Sequence, residues 1–109
     1  MVKLIGRTKI NCAVFISGRG TNLKSIFKYS KTIKSKIDLK LVISNNYNIL
    51  GVEFSKKNKI NTKIIDYKKL KHAEDHIIKH LRKNNIKLIC LAGFMKILSN
   101  DFIKKFKYH

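Results

Sequence analysis

The stretch V-F-I-S-G-R-G-T-N-L-K, Val14 to Lys24, decides how this chain folds. It completes an apolar run, Ile10 to Ile16, whose length and Ser-Gly ending predict a buried strand. Beyond it, Asn22 to Ile33 carries Leu23, Ile26, Phe27 and Ile33 near helical spacing, with Thr21 or Asn22 as the expected N-cap. Gly18 and Gly20 let the backbone turn sharply between the two elements and approach a ligand without a Cβ in the way. The helix that follows presents unpaired N–H groups and partial positive charge, so the turn predicts an anion site. The expected donors are the backbone N–H groups of Gly20, Thr21 and Asn22, helped by the Thr21 hydroxyl and the Asn22 amide. A dinucleotide loop would want a third glycine where Leu23 stands and an acid where Ser44 and Asn45 end the next strand. A Walker loop would want G-K-[ST], which is absent. A small phosphate ester is therefore the expected ligand. On this reading Gly20→Asp abolishes binding with little loss of fold.

Working outward, apolar runs alternate with helical patterns. Strands are predicted at Leu39–Ile43, Thr62–Ile65 and Ile86–Leu91. Helices are predicted at Ile49–Lys59, with Gly51 weakening it, at Tyr67–Asn84, and from about Asn100 to Phe106. The inner stripe of the long helix is Leu70, Ala73, Ile77, Ile78 and Leu81. This alternation predicts an α/β fold: a Rossmann-like, doubly wound parallel sheet of about four strands in a single domain, residues 1–109. Ligands bind at the carboxyl ends of such strands, where S-G-R-G-T-N and A-G-F-M both fall. Ile86–Leu91 becomes an apolar edge that self-association or a C-terminal partner would cover.

Composition limits the partners. The net charge is +19, with 25 Lys and Arg against 6 Asp and Glu. The basic residues are nearly all Lys, spread along the chain beside abundant Asn and Ile, the mark of an AT-rich genome. Scattered lysines make a solvated face that binds nucleic acid only non-specifically. No run approaches the roughly 20 apolar residues of a membrane span. Cys12 and Cys90 lie far apart in apolar runs and read as buried free thiols, not as a disulfide framework, which places the chain in a reducing cytoplasm. His72, His76 and His80 recur every fourth residue on the predicted long helix and read as a solvated polar face, with no metal. Glu74 and Asp75 read as ordinary surface pairs.

Three stretches in this order and spacing, V-F-I-S-G-R-G-T-N-L, L-V-I-S-N-N with Gly51 after it, and L-A-G-F-M-K-I-L-S, resemble one family. It is the phosphoribosylglycinamide formyltransferases, the glycinamide ribonucleotide transformylases of purine biosynthesis. The resemblance covers the N-terminal half of that family, from about Lys9 to Phe106. It implies formyl transfer from 10-formyltetrahydrofolate to the amine of glycinamide ribonucleotide. It implies that Gly20, Thr21 and Asn22 bind the substrate phosphate, and that Met95, Lys96, Ile97 and Leu98 lie against the folate. Lys71, early in the predicted third helix, matches a folate-side basic residue that is usually Arg, keeping charge and losing bidentate geometry. Methionyl-tRNA formyltransferases share the fold and the donor, but the S-G-R-G-T-N loop suits a small phosphorylated substrate better.

The family's catalytic groups are an Asn and a His in N-x-H-P-S and a later Asp, which stabilise an oxyanion and move a proton. None of the three is found here; His109 follows K-Y, with Lys107 where the Asn should be and no P-S after it. The resemblance thus implies a C-terminally truncated formyltransferase fold with no catalytic residues, inactive alone. The competing readings are a basic nucleic-acid-binding module and one part of a split formyltransferase.

Overall fold

The computed structural model describes residues 9–47 and 49–107. The elements run β1 (Ile10–Ile16), α1 (Thr21–Ser30), β2 (Ile37–Ser44), α2 (Leu50–Lys57), β3 (Thr62–Ile64), α3 (Ala73–Lys83), β4 (Leu88–Leu91) and α4 (Asn100–Lys107). The strands form one sheet in the order β3-β2-β1-β4, and every pairing is parallel. The expected four-stranded, doubly wound α/β sheet is what the chain builds.

Strand β1 is central, and Cys12 through Ile16 are fully buried because both faces are covered. The period of two sorts them. Ala13 and Phe15 face a core with Leu41 and Ile43, sealed by Ile77, Ile78 and Leu81 of α3 and Phe102 of α4. Cys12, Val14 and Ile16 face the opposite core, sealed by Leu23 of α1 and Val52 of α2. Burying each large apolar side chain is worth about 1.5–3 kcal/mol.

Four expectations need correction. Helix α1 ends at Ser30, not Ile33, and Ile33 is 86% exposed. The Ser30 Oγ donates back to the Phe27 carbonyl at 2.6 Å and the Thr32 Oγ1 to that of Tyr29 at 2.8 Å, so side chains take over where the ladder stops. The N-cap of α1 is Gly20 in the left-handed region, not Thr21 or Asn22, which are the first helical residues. Helix α3 starts at Ala73 instead of Tyr67. Asp66 closes its own turn, its carboxylate accepting the Lys68 N–H at 2.9 Å and its carbonyl the Leu70 N–H at 3.0 Å. His72 then takes φ 59, which breaks the helix and removes His72 from the expected histidine row. Strand β4 starts at Leu88, not Ile86, which instead fills the core. His109 lies outside the described residues.

His80 carries a pH signature. It is partly buried with an unpartnered Nδ1, and burial, with Lys63, Lys79, Lys83 and His76 nearby, holds its imidazole below the ordinary value. The unfolded chain therefore binds more protons than the folded one as pH falls below about 6.5. This contribution is complete above that value and is lost as pH drops through the folded value. Acidification from about pH 7.5 to 5.5 should lower the thermal midpoint, and His80→Gln should flatten that slope. Identical slopes in the two proteins would mean that His80 titrates as freely as in the unfolded chain.

Candidate functional site

Sheet order reverses between β1 and β4, so their carboxyl ends flank the crevice where doubly wound sheets bind ligands. Leaving β1, the chain passes through Ser17 to Gly20 and enters α1. Gly20 has φ 81, and a Cβ there would stand 2.7 Å from the Gly51 Cα. Gly51 in turn donates its N–H to the Gly18 carbonyl at 3.2 Å. The first turn of α2 thus packs directly on the glycine loop, which requires glycine on both sides of the contact. Gly51, a weak helix former in isolation, is needed for this approach. The expectation that Gly20→Asp spares the fold is also corrected, since any side chain there would drive α2 away.

No side chain caps α1, so its first N–H groups face outward beside exposed Thr21 and Asn22. This is the geometry of an anion site. Ser17 holds it in register. The buried Ser17 Oγ donates to Asn45 Oδ1 at 2.5 Å and accepts the Met95 N–H at 2.8 Å. The Asn46 Nδ2 donates to the Ser17 carbonyl at 2.6 Å. One residue thereby ties the loops following β1, β2 and β4. Ser17→Ala leaves buried polar groups unpaired and should destabilise the chain by about 1–3 kcal/mol in urea unfolding. Unchanged stability would mean that the loops are held elsewhere.

After β4 the chain turns at Gly93, φ 79, and residues 94–98 alternate. Phe94 and Leu98 pack on the α3 core, and the Phe94 ring meets those of Phe15 and Tyr67 edge-on, at 5.3 and 6.3 Å. Met95 and Ile97 point out, 79% and 92% exposed, as an apolar ledge beside the crevice. The Lys96 Nζ lies 5.3 Å from the centre of the Tyr67 ring, a cation–π contact. Glu74 is no ordinary surface pair. Its carboxylate accepts the Ser99 N–H at 2.7 Å and the Ser99 Oγ at 2.5 Å, while that Oγ accepts the Phe102 N–H at 3.0 Å. The loop is thus pinned at both ends, by Ser17 and by Glu74. Asp75 does form the expected surface pair, with Lys105 at 2.9 Å, and the hydrogen bond from Lys105 holds its carboxyl below the usual range.

Lys71 is exposed in the turn before α3, not on the helix as expected. A cleft of about 180 Å³ is lined by Asn45, Asn46, Asp66, Tyr67 and Lys96, among others. The Tyr67 hydroxyl is buried without a partner, and burial, then the nearby Glu74 charge, push it above its ordinary value. Ser17 and Asn46 were not singled out by sequence reasoning, Asn45 was weighed only as the place of a missing acid, and Glu74 was read as a surface pair. Ser17, Asn45 and Asn46 carry only the signal of polarity after a strand, Glu74 only that of an acid in a helix's first turn, and their partners are remote in the chain.

A parallel sheet with a glycine loop and an apolar ledge at its switch point belongs to the doubly wound, Rossmann-like α/β class. The chain is a member of the formyl transferase family, whose model matches residues 10–109. Within that family, it is 36% identical to the chicken trifunctional purine biosynthetic protein adenosine-3, over 94% of this chain and 11% of the relative. It is 36% identical to a phosphoribosylglycinamide formyltransferase of Haemophilus influenzae, over 86% of this chain and 46% of the relative. A solved phosphoribosylglycinamide formyltransferase from Anaplasma phagocytophilum superposes with TM-score 0.79 at 36% identity, covering 89% of this chain and 46% of that one. One from Brucella melitensis gives 0.87 at 25%, covering 93% and 54%. The chain thus spans about half the length of these single-enzyme relatives and about a tenth of the trifunctional one.

Proposed function

We propose that this chain supplies the substrate-binding half of a phosphoribosylglycinamide formyltransferase of purine biosynthesis. The observation that carries the reading is the Ser17 tie, which sets the glycine loop and the Met95–Leu98 ledge on opposite sides of one crevice. Gly20, Thr21 and Asn22 take the phosphate of glycinamide ribonucleotide. Met95 and Ile97 offer an apolar surface to the flat rings of 10-formyltetrahydrofolate, flanked by Lys96 and Leu98. Lys71 supplies a cation for the donor's glutamate carboxylate. The residues facing the crevice are hydroxyls, amides and lysines, and the one carboxylate on the cleft wall named above, Asp66, accepts the Lys68 N–H. On this reading they bind and orient the two substrates.

Titration of the 109-residue chain, followed at its backbone amides, tests this. Glycinamide ribonucleotide should shift Gly20, Thr21 and Asn22, and 10-formyltetrahydrofolate should shift Lys71 and Met95 to Leu98. Failure of the ribonucleotide to move the glycine loop, alongside RNA binding that falls steeply with salt, would favour the nucleic-acid module instead.

A second reading concerns completion of the enzyme. Strand β4 ends the sheet, and its Leu88 and Leu91 are 37% and 58% exposed. An apolar edge of this kind accepts another strand, so the catalytic Asn, His and Asp would come from a segment docked there. Formyl transfer should be absent in the chain alone and appear on adding a polypeptide equivalent to the C-terminal half of the Haemophilus relative. Transfer by these 109 residues unaided would overturn this.

A further inference from the structure

Cys12 and Cys90 are 78 positions apart, yet their Sγ atoms lie 3.5 Å from each other, and both are free thiols. The register explains it. Cys12 pairs with Leu88 and Cys90 with Val14, so the two cysteines sit diagonally across the parallel β1–β4 pair. With Val14 they share the face that packs on α1 and α2. Cys12 is fully buried in that core, whereas Cys90 is half-buried on the edge strand and is the more reachable of the two. Both cysteines are free, as expected, with Cys90 only half-buried, and the sheet brings the two thiols side by side.

We propose that Cys12 and Cys90 form a two-sulfur site for a thiophilic, pyramidal centre of the trivalent arsenic class. The sulfur separation selects among the chemistries open to two thiols. A disulfide needs about 2.05 Å, well short of the observed separation. A linear two-coordinate metal with bonds near the roughly 2.3 Å of zinc–thiolate would need about 4.6 Å. Two bonds of that length span about 3.3 Å near a right angle and about 3.8 Å at a tetrahedral angle, so both bracket the 3.5 Å observed, and the pyramidal centre is the one that needs no further protein ligand.

The protonation state points the same way. Burial, then the hydrogen bond and charge of Cys90, push the Cys12 thiol up to about 12, so thiolate is scarce and disulfide exchange is slow. Condensation with arsenous acid consumes the thiol protons. Two As–O bonds and two S–H bonds break, two As–S bonds form, and two waters leave, with no change in oxidation state. Cys90 reacts first because it is reachable, and Cys12 closes the chelate from within. Among the described residues no group of three or more His, Cys, Asp and Glu could complete a larger metal shell, which suits a three-coordinate centre that takes two sulfurs and keeps one As–O bond.

The test uses the folded chain, equimolar arsenite and removal of the excess. Elemental analysis and intact mass should show one arsenic per chain, with both thiols protected from alkylation. A small dithiol should strip it, and a monothiol at the same thiol concentration should not. Cys90→Ser and Cys12→Ala should each weaken retention by about a hundredfold, the loss of one arm of a chelate. The wild-type stoichiometry stands even if Cys12→Ala fails to fold. Retention unchanged in Cys90→Ser, no retention by the folded wild type, or loss of two hydrogens without arsenic would each overturn the proposal.

Discussion

Gly51→Ala should weaken binding of glycinamide ribonucleotide at least about tenfold and destabilise the fold by about 1–3 kcal/mol, the usual range for overpacking. The added Cβ would stand 2.6 Å from the Ile16 Cδ1, 2.8 Å from the Gly18 carbonyl oxygen and 3.3 Å from the Gly20 Cα. The first of these can rotate aside. The other two are backbone, so relief must come from moving α2 or the glycine loop, and either movement disturbs the N–H groups that would hold a phosphate. Gly18→Ala is the contrasting case, because nothing lies within 4 Å of its Cβ and its φ is not positive. Urea unfolding and ligand titration on both variants separate the outcomes. If Gly51→Ala and Gly18→Ala behave alike, the α2 contact does not set the loop.

How much of this was legible in the sequence follows from whether a signal is local. Strand β1 was bounded correctly because an apolar run ending in Ser-Gly is a local pattern. The order of elements followed from periodicity, and the parallel sheet from their alternation. The glycine loop was read as an anion site from its own residues, but Gly51, beyond its place in the family resemblance, was read as a poor helix former. Its purpose depends on Gly20, which no window around residue 51 contains. The same limit hid the Ser17 tie, which spans 28 positions to Asn45 and 78 to Met95. It also hid the dithiol. The predicted helix from Tyr67 failed for a different reason. Leu70 keeps the apolar spacing and packs on the core, but Asp66 and the left-handed His72 make the segment a turn. A hydrophobic period cannot distinguish a helix from a turn that buries the same side chain.

Phe102→Ala should cost about 3–5 kcal/mol, the range for deleting a buried aromatic side chain. Phe102 is 1% exposed and meets Phe15 of the central strand edge-on, with ring centres 6.5 Å apart. The cavity would open beneath α4, which is otherwise held by the partly buried Phe106 and by exposed, solvent-screened ion pairs such as Lys105–Asp75. Set against a total stability of about 5–15 kcal/mol, the loss is enough to release α4 before the rest of the sheet. Because the Ser99 Oγ caps the Phe102 N–H while being held by Glu74, release of α4 would also free the Met95–Leu98 loop at its far end. The expected result is therefore twofold: a lower urea midpoint, and faster proteolysis within α4 at concentrations of urea where β1 remains protected from hydrogen exchange. Ile103→Ala, at a position 47% exposed on the same helix, should move the midpoint by no more than about 0.5 kcal/mol. Equal effects from the two substitutions would mean that α4 is anchored by its exposed face and not through Phe102.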